Sequence, residues 1–126
     1  MSVKNDSTAD TLYGTGYWLL EADRHEDAKH VFRTMLTLAP RDERAWLALG
    51  MCHERAHELD KAARLYALVP FACTTSLRAH IARARVLRKM GREDEAAQAY
   101  DHAAELAYEC DDGRLAEVIA AEGSLE

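Results

Sequence analysis

Two tyrosines near the start of the chain are the side chains best suited to hold a ligand. Tyr13, Tyr17 and Leu20 are spaced i, i+4 and i+7, so they form one stripe if this stretch is helical. A second stripe, one position earlier each time, already supplies a core face: Leu12, Gly16 and Leu19. Because tyrosine gives a large contact area at low entropic cost, the first stripe predicts a surface for bulky apolar groups of a partner. The alternatives are packing under the N-terminal residues and burial in a dimer contact.

Two later stretches repeat this stripe with different chemistry. In the first, the equivalent positions hold Arg44, Leu47 and Met51, with Arg55 one turn on. In the second, they hold Arg78, Ile81 and Arg85, with Arg88 and Lys89 beyond. The predicted surface is apolar and aromatic at one end and basic at the other, which suits an extended peptide with a few bulky apolar side chains. The wider basic run is either a solvated face or a contact for an acidic stretch of the partner: Arg83, Arg85, Arg88, Lys89 and Arg92.

No comparable pattern points to a metal, a cofactor or a reaction. Cys52, His53 and His57 are close in sequence, and the two histidines are spaced i, i+4 like a metal-binding pair. No acid or fourth ligand is placed to complete the set, so we predict no metal site and no cofactor. The chain has no Ser/His/Asp order, no Gly-rich phosphate loop and no HExxH motif. The sequence therefore predicts a binding protein and not an enzyme.

An internal repeat defines the elements that must position these stripes. Trp46, Leu49, Gly50, Ala62 and Tyr66 have the spacing of one tetratricopeptide repeat (TPR), a helix–turn–helix unit of about 34 residues. Matching residue types return one repeat earlier and one later: Ala28 and Ala96, Phe32 and Tyr100, Gly16 and Ala84. The repeat predicts an all-α fold of three TPR hairpins in a right-handed superhelix, closed by a C-terminal capping helix. In such a stack the first helix of each hairpin lines the concave side, where the stripes lie.

Capping and helix-breaking residues predict where the helices begin and end. A capping box at Ser7 and Asp10 predicts a first helix from about Thr8. Pro70 is expected to end the fourth helix, because proline disfavours helical geometry in the residue before it. Gly91 fits the left-handed position that stops a helix. Asp42 is expected to cap the third helix, and the fifth is expected to be capped by one of three neighbours: Thr74, Thr75 or Ser76.

These boundaries predict one domain after a flexible lead. The lead covers residues 1–7 and the domain residues 8–122. Within the domain, the predicted repeats cover about residues 9–40, 43–74 and 77–108, and the capping helix about residues 114–121.

The composition of the 126 residues excludes several classes of function. Hydrophobic residues make up 48% and charged residues 30%, as in an ordinary soluble globular domain. The net charge of −6 gives no sequence-wide basic footprint for nucleic acid or for an acidic membrane surface. No apolar run approaches the roughly 18 residues of a membrane span, and the polar start predicts no secretory signal. The three cysteines form no CxxC pair, which predicts reduced thiols in a cytosolic protein.

Three segments of the first two hairpins form a distinctive set: LYGTGYWLL at 12–20, HEDAKHVF at 25–32 and DERAWLALGMC at 42–52. With these segments the chain resembles the class II chaperones of bacterial type III secretion systems, which escort two hydrophobic translocator subunits. The likeness covers about residues 10–108, and the third hairpin shares it through Arg78 and Gly91.

The resemblance implies a virulence-associated chaperone of the bacterial cytoplasm. Its concave groove would bind an extended segment of a hydrophobic translocator and keep that protein soluble and unassembled before export. Tyr13, Tyr17 and Leu20 occupy positions that line the groove in that family. The family dimerises through an N-terminal helical region, of which this chain has only about ten residues, so a homodimer is left open.

Two other readings of the same repeats stay open. One is a needle-subunit co-chaperone of the same machinery, which would take an amphipathic helix. The other is a generic TPR scaffold that joins two folded proteins. A clamp for a C-terminal carboxylate is disfavoured, because Tyr13 and Tyr17 stand where such domains carry Lys and Asn.

Overall fold

Seven α-helices make up the described part of the chain. The computed structural model describes residues 2–72, 76–109 and 112–124, with only the backbone described for residues 2–7. The helices are α1 (Ser2–Glu21), α2 (His25–Leu38), α3 (Glu43–Arg55), α4 (Leu59–Ala72), α5 (Leu77–Lys89), α6 (Glu93–Glu109) and α7 (Gly113–Gly123). No strand occurs within these ranges, and each helix packs against the next one along the chain. The all-α repeat architecture predicted from the sequence is confirmed.

Each hairpin is held by an aromatic ring that lies against a small residue of the partner helix. Phe32 packs on Gly16 and Tyr66 packs on Gly50, so closely that a β-carbon at either glycine would clash with the ring. Tyr100 fills the same position in the third hairpin, and all three aromatic side chains are buried. The recurring alanines on the second helices, Ala28, Ala62 and Ala96, are buried as well. These contacts explain why the small and aromatic residues recur at one interval.

Side-chain caps begin three of the helices. Asp42 accepts a hydrogen bond from the backbone N–H of Arg44 at 3.1 Å, which confirms the predicted cap of α3. Ser76 accepts from the N–H of Ala79 at 3.2 Å and so caps α5, while Thr74 and Thr75 lie outside the described residues. Asp112 caps α7 in the same way. After α5, Gly91 takes a φ of +79°, as its predicted role in stopping a helix requires.

Two predicted helix boundaries are wrong. Helix α1 begins at Ser2 and not near Thr8, so Ser7 lies inside the helix. Ala9, which is 2% exposed, anchors this stretch in the core, and a helix that has already formed extends at little cost.

Helix α4 also continues past its predicted end, through Pro70 to Ala72. Val69, directly before the proline, is fully buried, and its packing opposes the local preference for a non-helical conformation. Because Pro70 lies in the last turn, few of the hydrogen bonds of α4 are affected.

Candidate peptide-binding groove

The predicted tyrosine stripe lies at the surface of α1, against the core aromatic residue of the first hairpin. Tyr13 and Tyr17 are both partly exposed, and their rings meet edge-on with centroids 4.9 Å apart. Each ring also packs on Phe32, Tyr17 at 5.6 Å and Tyr13 at 6.5 Å between centroids. The buried Phe32 thus fixes both tyrosines from the core side. They are not sealed inside the protein, and part of each ring is available to a ligand.

Side chains at equivalent positions of α1 and α3 contact each other across the inner surface. The Tyr17 hydroxyl lies 4.0 Å from the sulfur of Met51, and the Arg44 guanidinium donates to Asp10 at 2.8 Å. Both pairs are 34 residues apart, which is one repeat. The Arg44 guanidinium also lies over the ring of Tyr13, 4.9 Å from its centroid. Helices α1 and α3 therefore form one continuous wall.

Arg44 is already neutralised by carboxylates of its own chain. Its guanidinium donates to Asp42 at 2.7 Å as well as to Asp10. The hydrogen bonds from Arg44 lower the pKa of Asp42, and those to Asp42 raise the pKa of Arg44 further. Arg44 therefore stiffens the wall beside Tyr13 and offers little free charge to a ligand.

Three apolar residues of the predicted site lie partly exposed along α3 and α5. Leu47 packs against the cluster around Tyr66, Met51 against the N-terminal core and Ile81 against the C-terminal core. Each keeps some surface outside the core. Together with the two tyrosines they give the inner face an apolar centre.

The prediction for Leu20 is wrong. This side chain is only 3% exposed and belongs to the core cluster of the first hairpin. The equivalent residues of the next two repeats, Glu54 and Arg88, explain why. Glu54 accepts a hydrogen bond from Tyr66, and the Arg88 guanidinium lies 4.7 Å from the ring centroid of Tyr100. This position turns towards the aromatic residue of its own hairpin and not towards the groove.

The basic end of the predicted surface is largely neutralised within the chain. Arg85 donates to the Glu122 carboxylate of α7 at 2.7 and 3.2 Å. Arg88 donates to the backbone oxygens of Glu122 and Gly123, and Lys89 pairs with Glu54 at 3.1 Å. Arg55 and Arg78 are exposed. Apart from Leu20, the predicted site residues are exposed or partly exposed on α1, α3 and α5, but their charges are less free than the sequence indicated.

Sequence reasoning missed the acidic partners of these cations. Asp10, Glu54 and Glu122 carry the carboxylates that pair with Arg44, Lys89 and Arg85. A signal was present for two of them, because the pairs are separated by 34 and 35 residues, about one repeat. The third carboxylate comes from α7, which lies outside the three repeats.

Cys52 and His53 of α3 take part in ordinary packing, whereas His57 is exposed in the turn after this helix. Cys52 is buried, and burial raises the pKa of its thiol. The ring of His53 is also buried and lies 3.1 Å from Glu58, whose pKa is lowered to about 2 by Lys61 and His53. No cluster of three or more metal-ligating side chains occurs among the residues that the structure describes. Cys73 and Cys110 lie outside them.

Alkaline pH is expected to destabilise the wall through Tyr17. Burial, followed by its hydrogen bond with Tyr13, raises the pKa of Tyr17 to about 12, and burial also raises that of Tyr66. The folded protein therefore favours the neutral phenols. The contribution of Tyr17 to stability is complete below about pH 10, the ordinary pKa of tyrosine, and is lost as the pH rises towards 12.

The test is urea unfolding at pH 8 and at pH 11. We expect a smaller alkaline loss in the Tyr17→Phe variant than in the wild type. An equal loss in both proteins would show that Tyr17 is not responsible.

Comparisons with known proteins agree with this architecture. Two tetratricopeptide repeat models match the chain, one at residues 19–72 and one at residues 77–110. No match to a curated protein sequence reaches significance. No helix within the described ranges is long and apolar enough to cross a membrane.

Several solved structures share the fold. The type III secretion translocator chaperone SycD of Yersinia enterocolitica is 24% identical with a TM-score of 0.81, over 94% of this chain and 89% of that one. PcrH of Pseudomonas aeruginosa, bound to the chaperone binding region of PopB, is 24% identical with a TM-score of 0.75, over 93% and 92%. SycD bound to a peptide of the translocator YopD is 23% identical with a TM-score of 0.73, over 92% of each chain.

The two repeat models together span most of the chain. The same architecture is seen in the helices, in the packing of Phe32 and Tyr66 on glycines and in the solved structures. The chain belongs to the tetratricopeptide repeat family.

Proposed function

We propose that this protein is a bacterial cytoplasmic chaperone of type III secretion that binds an extended segment of a hydrophobic translocator. The observation that carries the proposal is the half-open aromatic wall of α1 and α3, in which Tyr13 and Tyr17 are fixed by Phe32 yet keep exposed ring surface. Rigid aromatic anchors of this kind dominate the energy of protein interfaces. PcrH and SycD, which share the fold, are described as bound to segments of PopB and YopD.

The mechanism is mass action and involves no chemical step. A translocator segment that lies in the groove is withdrawn from self-association, so the free concentration of the aggregation-prone form falls. The apolar centre formed by Leu47, Met51 and Ile81 would accept bulky side chains of the segment. This role needs no cofactor, metal or enzymatic activity.

Co-expression tests this function. Each candidate translocator, identified by a neighbouring gene that encodes long apolar helices, is produced with and without the chain, and the soluble fraction is measured. The proposal predicts that the translocator is insoluble alone and soluble as a complex with the chain. If every translocator stays insoluble while a small helical needle protein or a folded partner forms the complex, the proposal is wrong and one of the other two TPR functions is favoured.

We also propose that the chain forms a homodimer through the outer side of α1. Trp18 is 63% exposed, whereas its equivalents in the next two repeats, Cys52 and Val86, are 2% and 0% exposed. Those two side chains are covered by the preceding hairpin, and α1 has none before it in the described chain. A second copy could cover this end face through a symmetric contact.

Light scattering on a sizing column measures this association. We expect the wild type to be dimeric at micromolar concentration and the Trp18→Glu variant to be monomeric with an unchanged circular dichroism spectrum. The Val118→Glu variant is the matched control, because Val118 is 60% exposed on α7. A wild type that stays monomeric, or a Trp18→Glu variant that stays dimeric, would contradict the proposal.

A further inference from the structure

We infer that the groove recognises two carboxylates of the bound segment, one at Arg55 and one at Arg78, on either side of its apolar centre. The inference rests on the proposed function and adds to it the charge pattern of the partner. It follows from comparing each cation of the inner face with its equivalent one repeat away.

Arg78 is the equivalent of Arg44 but lacks the partners of Arg44. The two carboxylates that hold Arg44 belong to Asp10, one repeat earlier, and Asp42, two residues earlier. At the corresponding distances before Arg78 the chain has Arg44 and Ser76. Ser76 is itself engaged, since its hydroxyl donates to Glu43 at 2.6 Å. Within the described residues no hydrogen bond or ion pair engages the guanidinium of Arg78.

Arg55 differs from its own equivalent, Lys89, in the same way. Lys89 pairs with Glu54, which lies 35 residues earlier in the chain. The residue at that distance before Arg55 is Leu20, which is apolar and buried. Over residues 2–72, 76–109 and 112–124, the structure shows no carboxylate bound to Arg55.

The remaining cations of the inner face cannot take this role without losing a partner. Glu122 holds Arg85 through two hydrogen bonds, and backbone oxygens of α7 hold Arg88. A carboxylate of the segment would have to compete with these groups. At Arg55 and Arg78 it would displace only water, because both side chains are exposed.

The two unpaired arginines flank the apolar centre. Arg78 lies in the first turn of α5, and Arg55 is the last residue of α3. Leu47 and Met51 precede Arg55 on α3 and Ile81 follows Arg78 on α5, so along the helices these apolar residues stand at levels between the two arginines. Arg55 follows Met51 by one turn on α3, and the sulfur of Met51 lies 4.0 Å from the Tyr17 hydroxyl, so Arg55 continues the helix face that meets the aromatic wall.

This placement fixes the approximate spacing of the two acidic residues. Arg78 is equivalent to Arg44, and Arg44 precedes Arg55 by eleven residues in α3, about 16 Å along a helix axis. The separation across the diagonal from α5 to α3 is somewhat larger. An extended segment rises about 3.3 Å per residue, so the two acids should stand roughly five to six residues apart with bulky apolar residues between them.

The negative net charge of the chain makes Arg55 and Arg78 a selective site for an acidic segment. The protein carries a net charge of −6, so its overall electrostatic field opposes the approach of an acidic segment. Two unpaired arginines in an apolar groove would draw such a segment into one orientation, because electrostatic complementarity sets specificity and binding register more than affinity.

The test measures the affinity of the full chain for short overlapping peptides that tile the translocator it keeps soluble. Peptides that bind are then made again with each Asp or Glu replaced by Asn or Gln. The chain is used as the wild type, Arg55→Gln, Arg78→Gln, the double charge reversal Arg55→Glu/Arg78→Glu, and the control Arg33→Gln. Arg33 is an exposed arginine on α2, a second helix of a hairpin.

We expect each single variant to bind about fivefold more weakly and the double reversal about a hundredfold more weakly, with Arg33→Gln unchanged. Neutralising two acids of the peptide, five to six residues apart, should abolish the difference between wild type and variants. Lysines at those two positions should restore binding to the double reversal.

The inference and the proposed function fail in different ways. If peptides bind the wild type tightly and the arginine variants bind them equally well, the inference is wrong while the proposed function stands. If no peptide of any translocator binds, the proposed function is wrong and the inference falls with it. Circular dichroism of each variant ensures that a lost affinity is not lost folding.

Discussion

Replacing Phe32 by alanine is expected to lower the free energy of unfolding by about 3–5 kcal/mol. The ring is fully buried, packs on Gly16 and supports both tyrosines of the wall. Its removal leaves a cavity that the rigid helix pair cannot close. Because a domain of this size is typically stable by only about 5–15 kcal/mol, the variant should be close to unfolding.

Urea denaturation followed by circular dichroism measures this loss. The matched control is Phe71→Ala, because Phe71 is 89% exposed on α4 and its removal should change stability by about 0.5 kcal/mol or less. Similar effects at Phe32 and Phe71 would mean that the ring-on-glycine contact does not hold the hairpins together.

Replacing Tyr13 and Tyr17 together by alanine is expected to weaken binding of the translocator segment by about a hundredfold or more. Each buried aromatic anchor at an interface typically contributes about 2 kcal/mol or more, and here two adjacent rings form the most aromatic part of the groove. The change also removes the hydroxyl beside Met51 and the ring under the Arg44 guanidinium.

Isothermal titration with the same peptide gives the affinity of this double variant. Tyr108→Ala is the matched control, since Tyr108 is a 58% exposed tyrosine on α6. A double variant that stays folded and keeps full affinity would show that the tyrosines do not line the binding site.

The repeat architecture could be predicted from the sequence because its determining contacts are local. Gly50 and Tyr66 meet within one hairpin, so the pattern of small and aromatic residues carries the contact directly. The same reasoning failed at the ends of helices. There the burial of Ala9 and Val69 outweighed the capping box at Ser7 and the helix-breaking preference of Pro70.

The candidate site was predicted less completely, for two physical reasons. The predicted stripe included Leu20 because the spacing of residues does not show how α1 is rotated relative to α2. That rotation turns Leu20 towards the aromatic core of the hairpin. The free charge of the groove depends on ion pairs between repeats, and Glu122 reaches Arg85 from a helix that has no counterpart in the 34-residue pattern. Which arginines stay unpaired could be found only from the arrangement of the helices.

Site-specific photo-crosslinking tests the central claim most directly. A benzophenone amino acid is placed either at Met51, on the inner wall, or at Phe71, on the second helix of the same hairpin. Each protein is irradiated in complex with its co-expressed translocator. The account predicts a crosslink from position 51 to an extended translocator segment and none from position 71. Crosslinks from position 71 with none from position 51 would place the partner outside the groove and contradict the account.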